Sequence, residues 1–359
     1  MGGIILKKIL TVMFALLMLF SGCSAPKSAH EKKRHLRHSA PDQAEIKLKS
    51  MNQTQKIKQM FIVRPQNQSA SQTGGIILFS QDMNDPKALI SSLQNAASTP
   101  LLAGIDQEGG TVSRLSANPA LTNNRAFPSP KEVFTQKGLK GTADEASQVA
   151  KILHSLGFNW NLAPVADVSQ NQNSFIYDRT LGQNTKTTAA YVAKTVCAIQ
   201  KQNVAACLKH FPGYGSAGDT HTGFAEEDQM DLNPFKAGIK NGADTVLVAH
   251  VVIKSVDPQL PASLSPKIHA LLRKKLGFKG VIVTDDLAMG AIRQFAENQH
   301  VCPEVLAVKA GNDLIMSENV DSGTAAIEQA IKDKQISQKQ INQSVLRILK
   351  LKEKLGLLK

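Results

Sequence analysis

From Met60 onward the chain alternates between two hydrophobic rhythms. Short unbroken apolar runs, Met60-Phe61-Ile62-Val63, Gly75-Ile76-Ile77-Leu78-Phe79 and Leu101-Leu102-Ala103-Gly104-Ile105, are separated by stretches in which apolar residues recur every three or four positions. An apolar run of strand length suits a strand buried on both faces of a parallel sheet, and the longer period suits an amphipathic helix. Thr142-Ala143-Asp144-Glu145 reads as a capping box, with Val149, Ile152, Leu153 and Leu156 on one buried face and Gly157 as the stop. Ala189, Val192, Val196 and Ile199 repeat the pattern. Ser265 with Pro266 opens a helix burying Ile268, Leu271 and Leu272, and Ser337 with Gln340 opens the last, which carries Ile341, Val345 and Ile348.

Strands are expected over 60–63, 75–79, 101–105, 158–163, 204–209, 245–250, 280–285 and 313–316, mostly with a helical stretch between. Eight alternating strand and helix units over some 300 residues predict an α/β protein with a single closed (β/α)8 barrel of the TIM type. An open doubly wound sheet is the competing architecture, but no Gly-x-Gly-x-x-Gly follows the first strand.

The first 60 residues follow other rules. Lys7 and Lys8 precede an apolar run from Ile9 to Phe20, too short to span a bilayer and of signal-peptide length. The run ends Ser21-Gly22-Cys23, which resembles a bacterial lipobox, although Phe20 stands where a smaller aliphatic residue is usual. Residues 1–22 are therefore expected to be a lipoprotein signal peptide, Cys23 the lipidated amino terminus, 23–52 a flexible basic linker, and 53–359 the barrel. The expected location is outside the cell, anchored to the membrane through Cys23. A formal net charge of +13 could point to nucleic acid, but His30, Lys32, Lys33, Arg34, His35, Arg37 and His38 concentrate much of it in the linker without interleaved aromatics. A tether facing membrane or wall fits better, with no nucleic-acid partner. Cys197, Cys207 and Cys302 lack metal-knuckle or dithiol spacing and read as buried free thiols.

If the barrel is right, the carboxyl ends of its strands present a concentrated polar set. Asp106-Gln107-Glu108 follows the third strand, Asp167 the fourth, Lys209-His210 the fifth, His250 the sixth and Asp285-Asp286 the seventh. No local ligand pair suggests a metal, and Lys209 beside His210 would repel a cation, so neither metal nor organic cofactor is expected. After the fifth strand, a loop containing Gly213, Gly215 and Gly218 closes on Asp219-Thr220-His221, where a carboxylate two residues from an imidazole can polarise it. Glycoside hydrolysis with retention needs a carboxylate to attack the anomeric carbon and an acid to protonate the leaving oxygen. Asp285 can attack, and His221, positioned by Asp219, can donate.

Asp106-Gln107-Glu108-Gly109-Gly110, Asn161-Leu162-Ala163-Pro164-Val165-Ala166-Asp167, Asp178-Arg179-Thr180, Lys209-His210-Phe211-Pro212-Gly213, Asp219-Thr220-His221, Leu276-Gly277-Phe278-Lys279-Gly280 and Thr284-Asp285-Asp286-Leu287 together resemble the β-N-acetylhexosaminidases of glycoside hydrolase family 3. The similarity runs in order from about residue 55 to the end. It implies a (β/α)8 barrel that removes terminal N-acetylglucosamine from peptidoglycan fragments through a covalent glycosyl-enzyme; the sequence leaves the oligomeric state open, a monomer being the simplest expectation. By motif it implies Asp285 as nucleophile, His221 with Asp219 as acid/base dyad, and Asp106, Arg114, Arg179, Lys209, His210 and His250 as substrate-binding residues. Asp286 is expected to be a supporting or helix-capping acid, Glu108 structural and Asp167 a loop anchor. The chain departs from the pattern at Tyr214, where many relatives have histidine, at Thr111 for arginine and at Leu181 for phenylalanine. A phosphorylase on the same barrel and a non-catalytic wall-binding lipoprotein are the competing functions.

Overall fold

The computed structural model describes residues 42–359 except Ser216, Thr222, Phe224, Gln229 and Lys359. The expected signal peptide, Cys23 and most of the expected linker lie outside the described residues. Eight parallel strands form one sheet: β1 (Phe61–Val63), β2 (Gly75–Leu78), β3 (Leu102–Ile105), β4 (Trp160–Asn161), β5 (Ala205–Phe211), β6 (Thr245–Val248), β7 (Val281–Thr284) and β8 (Ile315–Met316). They neighbour one another in chain order, and β8 pairs with β1 through Phe61–Ile315 and Ile62–Met316. A bridge between Val283 and Leu314, with Thr284 N donating to Leu314 O (3.2 Å) and Leu314 N to Ile282 O (2.9 Å), joins β7 to β8 and brings the sheet round into a barrel. All eight expected strands are present. The last is shorter than expected at its start because Asp313 is turned to another use, accepting from Ile282 N (2.9 Å) and Arg347 Nη1 (2.9 Å) and pairing with Arg273.

Eleven α-helices are described: α1 (Gln43–Ser50), α2 (Gln53–Lys58), α3 (Pro86–Ala96), α4 (Pro130–Ser155), α5 (Thr185–Gln200), α6 (Asn233–Lys240), α7 (Pro266–Ala270), α8 (Gly290–Gln299), α9 (Pro303–Ala310), α10 (Val320–Lys332) and α11 (Gln338–Lys354). Ser265 and Ser337 cap α7 and α11 as expected, accepting from Ile268 N (3.3 Å) and Gln340 N (3.1 Å). Two expectations are corrected. The capping box of α4 is Ser129 with Glu132, where Ser129 Oγ accepts from Glu132 N and the Glu132 carboxylate accepts from Ser129 N, and Pro130 fills the first turn. Gly138 (φ 61°, ψ −165°) breaks α4 into two segments, and Thr142 lies inside the second, donating to Leu139 O (2.9 Å), so that segment starts a few residues earlier than expected and Thr142-Ala143-Asp144-Glu145 caps nothing. The linker expected over 23–52 also ends earlier: residues 43–50 are α1, capped by Asp42 and docked on α11 by buried Ala44 and by Gln43 N donating to Glu353 Oε1 (2.8 Å).

The barrel's interior is filled rather than open. Trp160 is fully buried, donates from Nε1 to Thr245 Oγ1 (3.0 Å), and lies so close to Gly104 that a Cβ there would sit 3.0 Å from its ring. Leu162, Leu247 and Met316 end this packed layer and form the floor of the cavity above it. Of the three thiols read as buried, only Cys207 is; Cys197 and Cys302 are half-buried, and all three are free.

Candidate active site

Parallel strands end their apolar runs at one mouth, so the first polar residue after each run faces the same space. That space is a cavity of about 380 Å3 lined by Asp106, Arg114, Arg179, Lys209, His210, His221, Asp285 and Asp286, together with Arg64, Phe79 and Met289. A second cavity, of about 50 Å3, lies beside Glu108 and the inner face of α4 and shares no lining residue with the first.

A buried ion cluster organises one wall. The glycines after Glu108 take positive φ, 93° at Gly109 and 60° at Gly110, and turn the chain into a short hairpin with Val112–Ser113. Asp106 and Glu108, two apart on extended chain, share a side, so Lys209 Nζ reaches Asp106 Oδ1 at 2.6 Å and Glu108 Oε1 at 2.5 Å. Arg179 donates twice to Glu108, from Nε at 3.0 Å and Nη2 at 2.9 Å, and Arg114 stands 3.5 Å from Asp106. Burial alone would raise the Glu108 carboxyl, but Lys209 and then Arg179 hold it far below the usual carboxylate range. Burial likewise opposes the charge on Arg179, yet Glu108 raises it above its ordinary value. Glu108, expected to be structural, is the fixed counter-charge that aims both cations at the cavity.

His210 follows Lys209 across a cis peptide bond in β5. Arg179 has only donors, so His210 Nε2 accepts from Arg179 Nη2 (2.9 Å) and Nδ1 donates to Asp167 Oδ2 (2.8 Å). Asp167 also accepts from His210 N (2.9 Å) and Tyr214 N (2.8 Å), the anchoring expected of it.

On the opposite wall Asp285 donates from its backbone to Val248 O (3.0 Å), and its Oδ1 accepts from Asp286 N (2.9 Å). Burial would raise this carboxyl, but the fields of His250 and His210, the Asp286 N–H and His221 together bring it below its ordinary value. Asp286 goes the other way, raised by burial and by Asp285; its Oδ1 accepts from Ala288 N (2.9 Å). It thus ties the turn before α8, whose N-cap is Met289, and also lines the cavity.

His221 stands at the mouth. Its Nδ1 lies 2.6 Å from Asp219 Oδ1, which also accepts from His221 N (2.9 Å); burial is the largest single influence on the Asp219 carboxyl and raises it, but these bonds and the neighbouring positive charges together bring it below its ordinary value. The imidazole side chain remains 57% exposed.

His250, expected to bind substrate, does not reach the cavity. It is fully buried; Nε2 donates to Asp286 O (2.9 Å), so Nδ1 accepts from Ser263 Oγ (2.7 Å), and neither nitrogen remains for a ligand. It supports the Asp285–Asp286 turn. The other expected residues, Asp106, Arg114, Arg179, Lys209, His210, His221 and Asp285, line one cavity, with Asp219 bonded to His221 beside it. Arg64 and Phe79 were not anticipated, although each ends or immediately follows an apolar strand run and the strand-end rule marks both. Arg64 and Arg114 lie against the Phe79 ring, 4.9 and 5.3 Å from its centroid. Among the described residues no group of three or more His, Cys, Asp or Glu side chains is placed to hold a metal ion.

The model of the glycosyl hydrolase family 3 N terminal domain matches residues 45–351. The chain is 29% identical over 310 residues to a β-N-acetylglucosaminidase/β-glucosidase of Cellulomonas fimi and 31% identical over 328 residues to β-hexosaminidase A of Pseudoalteromonas piscicida. Each match covers 79% of this chain and 53% of the relative, so the chain spans about half the length of these two. The solved structure of a glycoside hydrolase family 3 β-N-acetylglucosaminidase from Paenibacillus sp. str. FPU-7 superposes with a TM-score of 0.79 at 32% identity, covering 86% of this chain and 63% of that one.

Proposed function

This chain belongs to glycosyl hydrolase family 3, and we propose that it is a retaining exo-β-N-acetylglucosaminidase that releases terminal N-acetylglucosamine from peptidoglycan fragments. The observation that carries this reading is the common cavity of His221 and Asp285, floored by apolar side chains and walled by the Asp106–Lys209–Arg179 cluster. A pyranose fits such a space, with the floor under its ring face and charged donors and acceptors for its hydroxyls. The names of the relatives, N-acetylglucosaminidase and hexosaminidase, support the sugar class. The wall-derived substrate follows from the proposed export signal and Cys23 anchor, which would hold the enzyme outside the membrane.

In the first step Asp285 Oδ2 forms a bond to the anomeric carbon while the bond from that carbon to the leaving oxygen breaks. The Asp286 N–H holds Oδ1 and fixes the carboxylate. His221 Nε2 gives its proton to the departing oxygen, and Asp219 on Nδ1 stabilises the imidazolium beforehand. In the second step neutral His221 takes a proton from water, whose oxygen attacks the same carbon and frees Asp285. Trapping with a fluorinated N-acetylglucosaminyl fluoride and peptide mapping tests the scheme. A label on Asp285 is expected, and a label outside residues 281–287 refutes the assignment. Product analysis in phosphate buffer separates hydrolysis from phosphorolysis.

A further inference from the structure

We propose that Tyr214 is a positioning residue for His221: its hydroxyl, bonded to Thr220, fixes the backbone that presents the imidazole to the cavity. The inference rests on the reading of His221 as acid/base.

The His221 ring has little packing of its own, being more than half exposed on a loop with Gly213, Gly215 and Gly218 before it. The neighbouring Thr220 is 0% exposed, and a buried hydroxyl needs a partner. It finds one in Tyr214 Oη at 2.7 Å. Tyr214, 1% exposed, is itself held from three sides: its N–H donates to Asp167 (2.8 Å), and its ring meets Phe175 edge-on at 4.9 Å and His210 at 5.1 Å. The backbone on either side of the Thr220 side chain is fixed too. Ala291 N donates to Thr220 O and Gly290 N to His221 O, each at 3.2 Å.

These bonds join the two reacting groups. Gly290 and Ala291 begin α8, four residues after the turn that carries Asp285 and Asp286, and Met289 N donates to Asp286 O (3.0 Å). Tyr214 therefore ties His221 to the His210–Asp167 wall on one side, while α8 ties it to the Asp285 turn on the other. Phenylalanine would keep the ring contacts and delete only the hydroxyl, leaving Thr220 Oγ1 buried without a partner.

A positioning role predicts damage confined to proton donation. A dinitrophenyl N-acetylglucosaminide departs without protonation and an alkyl N-acetylglucosaminide needs it, so the two report the acid's placement separately. Misplacement of a catalytic group by about 1 Å costs on the order of 100-fold. Tyr214→Phe is expected to lower kcat about 10- to 100-fold on the alkyl glycoside with KM nearly unchanged, and kcat/KM no more than about twofold on the dinitrophenyl glycoside. Thr220→Val should do the same, the double variant should be no worse than either single one, and Thr220→Ser should restore the alkyl activity to within about threefold of the parent. Equal losses on both substrates, or no loss on either, overturn the proposal; should Tyr214→Phe fail to fold, the Thr220 pair decides. Asp285→Asn that still turns over would overturn the functional reading itself. A dead Asp285→Asn and a leaving-group-selective His221→Ala, with Tyr214→Phe indifferent to the leaving group, overturns the positioning role alone.

Discussion

Replacing Glu108 by glutamine removes one negative charge from the most buried part of the cluster while changing its volume hardly at all. The Glu108 side chain is 1% exposed and Lys209 2%, so solvent cannot take over the lost partner. Lys209 keeps Asp106, but Arg179 loses both of its charge-assisted bonds and faces an amide that brings donors of its own. Breaking a buried pair from one side costs about 3–5 kcal/mol. With an unfolding entropy of about 2.1 cal/mol/K per residue over some 300 residues, that is a fall in Tm of about 5–8 °C. The pH dependence follows from the depressed carboxyl. Its contribution is fully present above the ordinary value of 4.5 and is lost as pH falls from there toward the folded value. The gap between parent and Glu108→Gln should therefore stay constant from about pH 8 to 5 and narrow below about 4.5. Calorimetry across that range, with KM for an aryl N-acetylglucosaminide, checks both halves, and KM should rise about tenfold as Lys209 and Arg179 lose their fixed aim. A Tm within about 1 °C of the parent at pH 7, with KM unchanged, would refute the idea that Glu108 organises this wall.

Other perturbations read other parts of the molecule. Asp285→Asn should reduce kcat by at least about a thousandfold, and because the folded protein holds this carboxyl below its ordinary value the melting temperature should not rise; residual turnover within tenfold of the parent would contradict its role. Burial keeps His250 below its ordinary value of 6.5, so the folded protein resists its protonation and stability is lost as pH falls from 6.5 toward the folded value. His250→Gln, which can keep a donor for Asp286 O and an acceptor for Ser263, should flatten that part of the Tm–pH curve. An unchanged slope would show that His250 does not titrate there. Lys352 is fully buried on α11 with only Gln59 Oε1 as hydrogen-bond partner among the described residues (2.7 Å), and burial lowers it from 10.5 to about 7. The unfolded chain binds the extra proton between those values, so Lys352→Met should be more stable than the parent at pH 6 by on the order of 4 kcal/mol, with the gap closing as pH rises toward 10.5. A gap independent of pH in urea titrations at pH 6, 8 and 10 would rule this out.

The barrel was legible because its strands are buried on both faces, and Val281-Ile282-Val283-Thr284 or Gly75-Ile76-Ile77-Leu78 can scarcely be anything else. α1 was not, because its sequence offers no clean apolar face: Ile46 points outward at 49% exposure, and the helix is held by Gln43 reaching Glu353, 310 positions away. The site shows the same division. Which residue types sit at the strand ends follows from local pattern, but who pairs with whom depends on closure, which carries Arg179 to Glu108 across 71 positions and His250 away from the cavity into a bond with Asp286 O. That pairing decides the chemistry. Lys209, Arg179 and Arg114 each pair with Asp106 or Glu108, and no lysine or arginine among the described residues forms an ion pair with Asp285. Its carboxylate is held by a backbone N–H, while His210 and His250 each spend both ring nitrogens on other partners. A permanent cation there would lower the energy of the carboxylate before reaction more than in the transition state, where its charge is being spent on the new bond. Keeping Lys209 and Arg179 paired with Asp106 and Glu108 on the opposite wall leaves Asp285 ionised yet free to attack.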